Sequence, residues 1–325
     1  SRIESNFLRA ESGWYLFMSK SSPAWQKDFL RILATRTFIG HYTPIAFIAE
    51  FETAKFVGAT PAFWKWRQIT VVALLATVLY GLVHDSCRLS SLSRRKSVAT
   101  AIAVTALFVF QPYMTDFIAW PFMVMQLLWL ALTGLALLSL IRIVETPTTI
   151  RWPWLAVGAA YGSLNVLGLG LATVAAVATV LGGLLFWEYR SNRSKRLLIP
   201  LAVLLVVSGF HALLMLVLPH AETVASHERL PHFLSNAFGF APSFALAAVH
   251  ALFSNNLMLA DGLQLWPDWP YGLAFVAIMI ASVTAIFLRT VRNPQSTSAQ
   301  RGIFVLSAFA AVSFIALVGL ISMRE

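Results

Sequence analysis

Glu11 is the first residue whose type and setting suit chemistry. It lies in Arg9-Ala10-Glu11-Ser12-Gly13-Trp14-Tyr15, a carboxylate among aromatics, and can act as a general base that activates a hydroxyl. The alternative is a solvated acid paired with Arg9, and Glu4 is a weaker rival for the same role. His41 and Tyr42 precede Pro44 and can hydrogen-bond a phosphate or a sugar; otherwise they are interfacial aromatics in a helix N-terminal turn. Asp116 is followed by Phe117, Ile118, Ala119 and Trp120, where an acid is costly without a partner or a task. Helix N-capping is its other reading. His220, Glu222, His227, Glu228, Arg229 and His232 form the densest polar cluster. Its acids and imidazoles can hold a divalent metal, and Arg229, with His232 beside it, can bind a phosphate; an exposed loop surface is the competing account. His84, His211 and His250 read as packed or boundary histidines.

The chain that must position these groups is a polytopic all-α membrane protein. Hydrophobic residues make up 58% of the 325, charged residues 12%, and the mean hydropathy is +0.73. A soluble domain carries roughly 25% charged residues. Runs such as Leu197–Pro219 and Gly272–Leu288 are continuous rather than alternating, which selects helices and excludes a transmembrane barrel. The formal charge of +10 falls mainly in short loops between spans, so it reads as the positive-inside pattern and not as nucleic-acid binding. A single cysteine, Cys87, excludes an intramolecular disulfide and a cysteine-based zinc site. No GxxxxGK[ST], HExxH or GxSxG motif, internal repeat or initial signal peptide is visible. The chain starts at Ser1 rather than Met and stops just after an apolar run, so it is expected to be a fragment with at least one further span before Glu11.

Read in order, residues 1–63 form an outer loop carrying the working face, within which Pro44–Phe56 is an interfacial amphipathic helix. Phe47, Phe51 and Ala54 recur there at helical spacing, and Glu52 and Lys55 can pair at i,i+3. Residues 64–219 form a transmembrane bundle, with spans expected near Trp64–His84, Ser97–Phe110, Phe122–Leu140, Pro153–Tyr161, Gly168–Trp187 and Leu197–Leu218. Residues 220–270 form a long outer loop holding a partial helix, and 271–325 add two more spans, for about eight in all. Arg94, Arg95 and Lys96, then Arg142 and Arg151, then Arg190, Arg193, Lys195 and Arg196 mark the cytoplasmic turns. The N-terminal loop, Gln111–Pro121 and His220–Pro270 therefore share the opposite side. Gly168, Gly170, Gly182 and Gly183 are read as helix-packing glycines within apolar helices.

GHYTPIAFIAEFETAKFVGATPAFWKWRQITVVALLATVLYGLVH resembles a stretch of the polytopic C-type (GT-C) glycosyltransferases, the fold of protein O-mannosyltransferases and their bacterial relatives. FQPYMTDFIAWPFMVMQLLWLALTGLALL is similar to a later outer loop and helix of that family. The resemblance implies an inverting enzyme of a bacterial inner (plasma) membrane, working on the outer face with a polyprenyl-phosphate-linked sugar as donor. It implies a membrane-lipid environment and an acceptor hydroxyl of unspecified identity, with no cofactor beyond a possible divalent metal. Glu11 then matches the family's first-loop acid, with Ser12 where a second acid often stands, and Asp116 is a supporting acid. Arg9, His41, Tyr42, Arg229 and His232 are the expected substrate-binding residues. A transporter or flippase for a lipid-linked glycan, or a non-catalytic membrane scaffold, is the alternative.

Overall fold

The computed structural model describes residues 10–37, 42–90, 92–111, 114, 123–192, 195–219, 281–282, 284–285, 288 and 297–322. Every regular element among them is an α-helix: α1 (Ala10–Ser19), α2 (Pro23–Thr35), α3 (Pro44–Val57), α4 (Pro61–Leu89), α5 (Arg94–Val109), α6 (Val124–Glu145), α7 (Arg151–Val166), α8 (Gly170–Asn192), α9 (Leu198–Val217) and α10 (Ser298–Ser322). Three successive helices start on the same local signal: Ser22-Pro23, Thr43-Pro44 and Thr60-Pro61 place proline in the first turn. Proline's fixed φ suits the first turn of a helix, and its missing N–H has no partner to lose there. Gly58 ends α3 with φ +62°, its N–H donating to the Ala54 carbonyl at 2.9 Å.

Five of the described helices, α4, α6, α8, α9 and α10, are long and apolar enough to cross a membrane. Helices α5 and α7 have 16 residues each, about 24 Å at 1.5 Å per residue, short of a hydrocarbon core of about 30 Å. The expected span within 271–288 lies almost wholly outside the described residues, as does the 220–270 loop with its partial helix.

The bundle is built around α6, which packs on α4, α7, α8 and α10. Its core joins Ala136, Leu140 and Ile141 of α6 to Ala160 and Leu164 of α7, Val177 and Leu181 of α8, and Val305 and Ala308 of α10. Small residues let these helices approach without a hydrophobic driving force from water. Gly134 of α6 is such a point, because a Cβ there would come within 2.9 Å of Val78 Cγ1 of α4. Gly168 lies in the turn between α7 and α8 and not inside a helix, and Gly170 is the first residue of α8. A Cβ on Gly170 would strike the backbone of Ser163 and Leu164, so the turn closes only around glycine.

The two ends of the bundle differ. At one end lie the basic turns, where Arg142 of α6 pairs with Asp85 of α4 (Nε–Oδ2 2.5 Å) and Arg196, just before α9, grips Glu188 of α8 (2.5–3.0 Å). Arg301 of α10 stacks there on Trp187 at 4.1 Å. Over the opposite end lies a cap of α1, α2 and α3. Its core of Tyr15, Leu16, Met18, Phe29, Leu33, Phe47, Phe51 and Ala54 continues into Trp64 at the start of α4 and Val124 and Met125 at the start of α6.

Candidate functional site

The cap carries Glu11 on α1 and adjoins Tyr42, and it contains more helix than the sequence suggested. Besides α3, the segment folds α1 and α2 into a hairpin packed on α3. The apolar stripe of α3 faces this hairpin: Phe51 is fully buried and its ring meets Phe29 of α2 edge-on at 5.4 Å. The stripe that sequence periodicity offered to the membrane is thus taken by protein.

Glu11 lies in the first turn of α1. The side chain of Glu11 is outside the described residues, and so are Arg9, His41, Asp116, Arg229 and His232 altogether. The His220–His232 cluster falls outside as well. Tyr42 is described and half-buried. Its hydroxyl donates to the Ala34 carbonyl at the end of α2 (3.1 Å), and its ring lies 5.5 Å from that of His211.

His211, deep on α9, donates from Nε2 to the Tyr42 carbonyl at 2.8 Å and meets the Tyr161 ring of α7 edge-on. Just past the end of α9, the Pro219 carbonyl accepts from the Thr37 N–H (3.2 Å). These bonds tie the chain leading into α3 to the end of α9. The N-terminal segment, the start of α6 just after Gln111–Pro121, and the end of α9 just before His220 therefore meet at one end of the bundle.

One charged pair stands inside the cap and sequence reading overlooked it. Glu50 of α3 is 9% exposed and accepts from Arg67 Nη1 of α4 at 2.7 Å. Arg67 in turn lies over the Trp64 ring at 4.4 Å. Burial pushes the Glu50 carboxyl above its ordinary range; the Arg67 charge and hydrogen bond pull the other way without cancelling it. The signal was present in spacing, since 47, 50, 51 and 54 fall on one helical face and place Glu50 inside the apolar stripe. Glu52, the acid expected to pair on this helix, contributes no described ion pair.

A second polar group lies at the basic end. Asp85 is fully buried; His84 Nδ1 donates to its Oδ1 at 3.1 Å, and Arg142, paired with its Oδ2, also lies 3.7 Å from Glu145. Among the described residues no group of three or more His, Cys, Asp and Glu side chains is arranged to hold a metal ion.

Five apolar helices and a cap seated on one end define an integral membrane protein of all-α architecture. No family model, no curated protein and no solved structure matches the chain.

Proposed function

We propose that the chain is an inverting membrane glycosyltransferase with a C-type helical bundle, moving a sugar from a polyprenyl-phosphate donor to an acceptor hydroxyl on the extracytoplasmic face. The observation that supports this most is the cap: α1, which carries Glu11, is fastened to the bundle end opposite the basic turns. A lipid-linked donor has its reactive phosphate at that depth, where the spans leave the hydrocarbon.

In this reading the Glu11 carboxylate takes the proton of the acceptor hydroxyl as its oxygen attacks the anomeric carbon. The bond from that carbon to the phosphate oxygen breaks on the opposite face, which inverts the centre. The departing polyprenyl phosphate carries the developing negative charge and needs cations rather than a strong acid. Arg9, Lys20, Lys27 and Arg229 are the residues assigned to it, with Asp116 as a supporting acid. Glu50 is not assigned to catalysis, because Arg67 occupies its carboxylate; the pair positions α3 against α4.

The test is transfer of radiolabelled sugar from a polyprenyl-phosphate donor to membrane acceptors by the full chain in proteoliposomes. Transfer that disappears in Glu11→Gln at unchanged expression is expected; undiminished transfer in that variant removes Glu11 from the mechanism.

Transport of a lipid-linked glycan is the second reading, and the Asp85–His84–Arg142–Glu145 group packed between the basic ends of α4 and α6 favours it, since ionisable residues between spans often line a pathway. Flipping of a labelled lipid in vesicles without sugar transfer would select it.

A further inference from the structure

Between α1 and α2 opens a groove of about 880 Å³ that the site above does not use. Trp14, Phe17 and Trp25 stand at its mouth, 54%, 64% and 66% exposed, with Phe29 as its floor and Asp28 and Arg31 on its rim. Trp14 and Phe17 stack at 5.9 Å, which makes a continuous ring wall. Rings this large are seldom left in water together, and the other face of the hairpin is already buried against α3 and the starts of α4 and α6. Among the described residues the hairpin thus has two apolar sides and protein on one of them.

Position and charge identify what covers the second side. The hairpin is seated on the ends of membrane-spanning helices, at the level where phospholipid headgroups lie. From Trp14 to Thr37 it carries Lys20, Lys27, Arg31 and Arg36 against the single acid Asp28. The Arg31–Asp28 contact, 3.7 Å between side chains 74% and 65% exposed, is too weak to withhold Arg31 from a phosphate. Arg31 and the aromatic wall open into the same groove.

We propose that the α1–α2 groove binds an anionic phospholipid of the leaflet it faces, with an acyl chain along Trp14, Phe17 and Trp25 and the phosphate at Arg31. The site follows from the membrane placement of the helices and does not depend on sugar transfer.

Cys87 is the single cysteine, so a Cys87→Ser background accepts one nitroxide at a time in the full chain. Phe17→Cys and Trp25→Cys, labelled separately, read opposite sides of the groove, and either one suffices if the other does not fold. Nanodiscs of phosphatidylcholine alone are compared with nanodiscs holding one quarter phosphatidylglycerol. Expected is faster collision with lipid-soluble oxygen than with an aqueous nickel chelate, plus a label two-fold or more slower in the phosphatidylglycerol discs. Arg31→Glu should abolish the second effect and leave the first. Preferential collision with the nickel chelate overturns the proposal. Lipid contact that is identical in both compositions overturns it too, since the groove would then lack an anion site.

Discussion

Replacing Arg67 by methionine keeps most of a long side chain over Trp64 but strands the Glu50 carboxylate. Both partners are mostly buried, at 16% and 11% side-chain exposure, and their contact is 2.7 Å. Breaking such a pair from one side costs about 3–5 kcal/mol, because the remaining charge is desolvated and unpaired. Burial already raises the Glu50 pKa above 4.5, and removing Arg67 removes the two influences that lower it. The sign follows from proton binding: a folded state whose carboxyl has a raised pKa binds more protons than the unfolded chain. The penalty in Arg67→Met is therefore small near pH 4.5 and grows as pH rises through the raised value. Glu50→Gln/Arg67→Met also loses the cation–π contact but holds no charge, so it should recover most of the loss at pH 8 and show a flat profile. The assay is thermal unfolding of nanodisc-held protein between pH 4.5 and 8. An Arg67→Met penalty of equal size at both limits, or a double variant no more stable than the single one, refutes the buried-carboxylate reasoning.

Other perturbations read other parts of the molecule. His211→Phe keeps a ring against Tyr42 but leaves the Tyr42 carbonyl without its donor, so about 1–3 kcal/mol of stability should go and trypsin should cut sooner at Arg36. Gly58→Ala meets no steric obstacle, yet φ +62° with ψ −148° is glycine territory; a loss of about 1–3 kcal/mol is expected by the same unfolding assay. Asp85→Asn should lower stability by about 1–3 kcal/mol, because Arg142 loses a charged acceptor but keeps Glu145 at 3.7 Å, while a loss of lipid flipping at unchanged stability would instead support the transport reading.

The bundle was largely legible because a bilayer demands long apolar runs, and the boundaries of α4, α6, α8, α9 and α10 follow those runs closely. Helix α3 was readable from Phe47, Phe51 and Ala54 at helical spacing. The α1–α2 hairpin was not, because its residues face two apolar surroundings: Tyr15 and Phe29 go inward while Trp14, Phe17 and Trp25 go outward, which blurs any single stripe. Glu50 escaped notice because a carboxylate in an apolar stripe makes sense only once Arg67, 17 residues on, is known to arrive beside it. Asp85 was hidden likewise: at the end of a span it looks like a solvated loop acid until Arg142 closes over it. The break between α7 and α8 was expected between Tyr161 and Gly168, and it falls at residues 167–169, because α7 runs on to Val166.

Sugar transfer on the outer face depends on the cap facing outward and the basic turns facing the cytoplasm. In the Cys87→Ser background, Ser22→Cys lies exposed at the start of α2 and Thr148→Cys lies exposed between α6 and α7. Treated with a membrane-impermeant maleimide on intact, right-side-out membranes, the Ser22→Cys protein should be labelled at once and the Thr148→Cys protein only after the membrane is opened. The reverse pattern would put the cap and Glu11 in the cytoplasm and contradict sugar transfer on the outer face.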